Sequence, residues 1–168
     1  ALLPHKTTRQ GFRKALFGAE FRVLLSSRDE DKLQRAFEAL EIWSLLGALG
    51  TRSNRAAGSV WPALGAPDTI EDLQTCLSPF HLALSVMVSE DSAETDEVRK
   101  IASDTLSIPD LFGSPKPRRE SPLKVKVIRL ENRHHLLLWA ETRGVVGSAL
   151  KKLRKKGIKA NHAAPYRA

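Results

Sequence analysis

Cysteine is nearly absent from this sequence. The single Cys76 excludes an intrachain disulfide scaffold and a cysteine-cluster zinc finger. Aromatic residues make up only 6% of the chain, so each Trp and Phe draws attention. No apolar run reaches the roughly 18 residues that a membrane-spanning helix needs. The chain starts without Met and without the long apolar stretch of a signal peptide. The expectation is a cytoplasmic protein away from membranes; an excised or processed piece of a longer protein is one reading of that start, beside a single whole domain. Acidic residues are missing beyond Glu141.

Catalytic signatures are missing too. The sequence has no P-loop, no Gly-X-Ser-X-Gly elbow, no glycine fingerprint for dinucleotides and no His-Glu-X-X-His. His134 and His135 are neighbours in an expected strand, so their side chains leave on opposite faces and form no ready ligand pair. Neither a metal nor a cofactor is expected. The acid pairs Glu30-Asp31 and Glu71-Asp72 stand where first helical turns attract carboxylates.

What is present is a 168-residue chain with 42% hydrophobic residues, enough for one domain over residues 1–168. The net charge is +8, and it is uneven. Up to residue 84, ten Lys and Arg nearly balance nine acids; from residue 85 on, seventeen face ten. A one-signed field over part of a surface suits a polyanion.

Residue spacing predicts the elements. Glu20–Ser26 reads as a strand whose alternation breaks at Leu24-Leu25. Leu33, Phe37, Leu40, Trp43 and Gly47 form a helical stripe, widened by Ile42, Leu45, Leu46 and Leu49. That stripe predicts a helix to about Leu49 with its second half buried on several sides and Gly50 as its cap. A short strand at Gly58–Trp61 and a helix from Asp68 to Leu77 follow. Phe80–Val88 fits helix or strand equally. Ser92–Leu106 reads as a surface helix. Leu123–Leu130 and His134–Ala140, joined at Glu131-Asn132-Arg133, form the clearest hairpin. A last helix spans about Val145–Lys156. This order predicts an α+β fold: a ferredoxin-like (RRM-like) antiparallel sheet with helices packed on one face. Lys124 and Lys126 would then project together from the open face.

The segment Leu46–Val60 carries the most information. It joins an apolar helix end to a loop of small residues bearing Arg52 and Arg55. Glycine permits close backbone approach, amides and hydroxyls can hold phosphate oxygens, and arginine adds a charged fork. A purely structural connection remains the alternative reading.

That same segment resembles the glycine- and arginine-rich signature of the RAMP superfamily, the Cas7-like subunits of type III CRISPR effector complexes. Leu45-Leu46-Gly47-Ala48-Leu49-Gly50, Arg52-Ser53 and Gly58-Ser59-Val60 match its pattern. Asn54 stands where arginine is common, and Ala56-Ala57 where Gly-Phe is. Arg118-Arg119-Glu120-Ser121-Pro122-Leu123 is similar to a second stretch, found in the first-subunit family of the Cmr complex. Together the matches cover less than half the chain. The resemblance implies a ferredoxin-like fold and a non-catalytic role holding CRISPR RNA or its target, beside other CRISPR effector subunits. It also implies one part of a larger two-domain protein, or a compact relative.

The expected RNA contacts are Gly50, Arg52, Ser53, Asn54, Arg55, Gly58 and Ser59 in the first loop, and Arg118 and Arg119 in a second. Lys124 and Lys126 extend the path. Trp61 and Trp139 are the candidate stacking platforms, with core packing as their plainer role. Lys151, Lys152 and Lys155 would bind backbone or a partner protein. Two other functions stay open: a metal-independent CRISPR RNA-processing endoribonuclease using His134 or His135 with a lysine, and a protein–protein assembly module with a basic surface.

Overall fold

The computed structural model describes residues 6–7, 11–12, 19–50, 56, 58–80, 82–87, 95–115, 118–156 and 162–163. In chain order the elements are β1 (Lys6–Thr7), β2 (Gly11–Phe12), α1 (Glu30–Leu46), α2 (Ile70–Leu77), β3 (Ala83–Met87), α3 (Thr95–Leu106), α4 (Pro109–Phe112), β4 (Ser114–Pro115), β5 (Arg118–Arg119), β6 (Lys124–Leu130), β7 (Arg133–Ala140), α5 (Arg143–Lys155) and β8 (His162–Ala163).

The expected hairpin is the centre of the fold. Strands β6 and β7 pair antiparallel from Lys124↔Trp139 to Leu130↔Arg133. Their two-residue turn, Glu131-Asn132, has φ of 48° and 60°. Positive φ at both central positions follows the strand twist. The Glu131 amide donates to the Asp68 carbonyl at 2.9 Å, tying this turn to the approach of α2. The ambiguous run at Phe80–Val88 resolves as strand β3, which pairs antiparallel with β7 on one side and β8 on the other. The sheet order is β6-β7-β3-β8. With α3 between β3 and β6, and α5 between β7 and β8, residues 83–163 trace the β-α-β-β-α-β path of a ferredoxin-like unit.

The expected helices lie on one face of that sheet. Val98, Ala102 and Leu106 of α3 recur every four residues and are fully buried. From α5 come Val146, Ala149 and Leu153, all buried at helical spacing. Val98, Ala102, Leu106, Ala149 and Leu153 form one core with Val125, Val127, Leu136 and Leu138 from the sheet. Short α4 adds Leu111 and Phe112 to it.

The opposite face is covered as well, which one helix layer did not anticipate. Leu84, Val86, Ile128, Leu130 and Leu137 form a second core with Leu45 of α1 and Leu73 and Leu77 of α2. Helix α2 starts at a capping box, where the Thr69 hydroxyl accepts from the Asp72 amide and the Asp72 carboxylate accepts from the Thr69 amide. Ile128 and Leu130 break the strand's alternation because each side of β6 has its own core.

The N-terminal half departs from expectation in detail. Helix α1 ends at Leu46 with Gly47 as its cap, whose amide donates to the Trp43 carbonyl at 2.6 Å. Only Leu45 of α1 is buried, and Phe37 is 49% exposed. The helix therefore rests on the sheet by its last turn. Residues 20–26 take no regular secondary structure and join no ladder among the described residues, where a strand was expected. Ser59 forms a single bridge to Ala48 where a short strand was expected.

Candidate nucleic-acid interface

The C-terminal end of the glycine–arginine loop is held against β6, an edge strand of the sheet. The Leu49 amide donates to the Gly58 carbonyl at 2.8 Å, closing the loop's base. The Ala56 amide donates to the Val125 carbonyl at 2.8 Å. The Val127 amide donates to the Ser59 hydroxyl at 2.9 Å, and that hydroxyl donates to the Ala56 carbonyl at 3.0 Å. Gly50 and Gly58 take φ of 93° and 67°. At Gly58 a Cβ would overlap the Leu49 carbonyl, so glycine is required for space as well as for φ. These contacts give Ser59 a structural duty: its hydroxyl satisfies an edge-strand amide that would otherwise lack a partner. Arg52, Ser53, Asn54 and Arg55 lie outside the described residues.

Lys126 requires a correction. It is 1% exposed, so it does not project from an open sheet face beside Lys124. Its ammonium donates to the Ser44 carbonyl in the last turn of α1, at 2.5 Å. It also sits 5.5 Å from the centre of the Trp61 ring, within reach of a cation–π contact. Burial disfavours the charge and lowers the lysine's pKa to about 7. Lys124 lies half-buried on the same face, directly opposite Trp139.

The two candidate stacking residues are engaged in packing. Trp61 and Trp139 are half-buried against the second core. The Trp139 indole N–H is buried without a hydrogen-bond partner among the described residues. His135 is 4% exposed on this covered face, where burial lowers its pKa. His134, on the other face, is half-buried. Arg119 is exposed in a two-residue ladder in which Arg118 pairs with Pro115. Among the described residues, no group of three or more His, Cys, Asp and Glu gathers as a metal site.

Exposed positive charge is instead concentrated on α5 and its end. Lys151, Arg154, Lys155 and Lys156 are exposed, and Lys152 is half-buried. None of the five forms an ion pair among the described residues. The helix can face outward this way because Val146, Ala149 and Leu153 commit its other side to the core. Gly144, Gly147 and Ser148 lie exposed ahead of the lysines, leaving the helix surface low. Gly144 and Ser148, with Ile108, Asp110 and Leu111, flank a shallow depression of about 440 Å³ that Lys151, Lys152 and Lys155 also line. The basic run was legible in sequence. The glycines were not singled out, although their spacing with Ser148 and Lys151 places them on one helical side.

No family model matches the chain. No curated protein matches it either. Among the described residues, no helix is long and apolar enough to cross a membrane.

Proposed function

We propose that this chain is a non-catalytic RNA-binding subunit of a type III CRISPR ribonucleoprotein, working in the cytoplasm beside other effector subunits. It holds the phosphate backbone of guide or target RNA by charge. The observation that carries this reading is the exposed basic side of α5, with no acid on the helix and none in the sequence after it. Phosphates drawn to such a surface release counterions, so binding weakens steeply with salt. The loop bearing Arg52 and Arg55 adds a second contact, and its resemblance to the RAMP signature supplies the CRISPR assignment. With the sheet covered on both sides, contact runs over helix and loop surfaces rather than across an open sheet.

Fluorescence anisotropy with a labelled single-stranded RNA over a salt series tests the binding. Removing Lys151, Arg154 and Lys155 together by alanine should lower the slope of log affinity against log salt by about 2. Arg52→Ala with Arg55→Ala should lower it by about 1.4. A folded α5 variant with unchanged affinity and slope overturns the assignment. Sequencing RNA that copurifies with the chain from its native cells tests the biological role. Reads from CRISPR arrays or their targets support it, and reads spread over unrelated transcripts contradict it.

A further inference from the structure

The segment before α1, which the sequence reads as a strand, has exposed apolar side chains and no strand beside it among the described residues. Phe21 is 53% exposed, Val23 49% and Leu24 92%. Among the described residues its backbone joins no ladder. It borders an open groove of about 980 Å³, lined also by Leu40, Trp43, Trp61 and Leu64. Amides and carbonyls outside a ladder, along a sequence with strand character, are a template for another strand. Apolar side chains left in water at the same place favour covering it.

The sequence of the segment says which strand fits. It reads Ala19-Glu20-Phe21-Arg22-Val23, with one acid and one base placed symmetrically about Phe21. If two such segments run antiparallel and centre on Phe21, Glu20 of each lies opposite Arg22 of the other. Residues directly opposite share a face, and opposite charges there attract. Phe21 then meets Phe21, and Ala19 meets Val23. Other registers lose this match. Centring on Arg22 opposes arginine to arginine, and centring on Val23 sets Arg22 against Leu24. The charge pattern is thus complementary to itself in one register. A two-fold axis through that register closes the contact at two copies.

We infer that the chain pairs with a second copy of itself through an antiparallel ladder over residues 19–23, centred on Phe21. Sedimentation equilibrium on the full chain tests it. The wild type should dimerise. Arg22→Glu sets glutamate against glutamate in both cross-strand pairs, and should weaken association about tenfold. Glu20→Arg should do the same through paired arginines. The double variant Glu20→Arg with Arg22→Glu reverses the charges and restores the match, so its association should return to the wild-type value. Glu20 and Arg22 are both exposed, so neither change disturbs a core, and circular dichroism checks the fold of each variant. A monomeric wild type overturns the inference. So do single variants that associate like wild type, or a double variant no better than the singles.

Discussion

The two faces of the sheet are covered by unlike means. On one face α3 and α5 lay down whole helical stripes, and β6 and β7 answer with Val125, Val127, Leu136 and Leu138. On the other, α2 and the last turn of α1 cover a surface that includes Lys124, Lys126, His135 and Trp139. Among the described residues, a buried lysine lies on the second face and not on the first. The difference shows that a basic residue alternating along a strand need not mark a binding surface. A cover from a distant part of the chain can turn it inward.

Protonation of Lys126 distinguishes the faces most sharply. The unfolded chain keeps this proton up to the ordinary pKa of 10.5, while the folded chain releases it near 7. Between those values the unfolded state binds more protons. Stability therefore climbs as pH rises from about 7 towards 10.5, and is lowest below 7. The change from this residue is at most about 5 kcal/mol. Lys126→Met should remove that part of the slope and leave the variant more stable than wild type at pH 6. Chemical denaturation across pH measures it; identical slopes in both proteins would break the contrast between the faces.

Packing gives the next largest effect. Leu137 and Leu138 are neighbours on β7, both fully buried, and belong to opposite cores. Leu138→Ala should cost about 4 kcal/mol and Leu137→Ala about 3 kcal/mol. The second value is smaller because α1 commits only Leu45 to its core and can settle into the space. Denaturant titration of the two variants compares them, and a larger loss at Leu137 would reverse the reading of the thinner layer.

The smallest effect is at the edge of β6. Ser59→Ala deprives the Val127 amide of its acceptor and should cost about 2 kcal/mol. Hydrogen exchange should quicken at Val127 ahead of the amides in the β6–β7 ladder. Unchanged exchange there would mean that the serine does not hold the loop to the strand.

These contrasts also explain what the sequence made legible. The hairpin was readable because its turn is local and its strands flank it directly. The helix at Ile70–Leu77 was readable from its acids, and α5 from three apolar positions among lysines. Strand β3 was not, because Ala83, Leu84, Ser85 and Val86 are all buried and leave no alternation to separate strand from helix. Lys126 was misplaced for the same kind of reason. Its neighbours Val125 and Val127 make an in-and-out pattern, and nothing local announces that Ser44 and Trp61, far away in sequence, close over it. Ser59 was read as a phosphate contact because a hydroxyl in a glycine loop suits that role. Its duty to Val127 depends on pairing across 68 positions of sequence.

The central claim is that RNA is held on the outer side of α5 and not on the sheet. Anisotropy with single-stranded RNA, run side by side on Lys126→Met and on the α5 variant lacking Lys151, Arg154 and Lys155, tests it directly. The α5 variant should lose about 2 from the salt slope while Lys126→Met keeps the wild-type affinity and slope. Loss of binding in Lys126→Met, with the α5 variant binding like wild type, would contradict it.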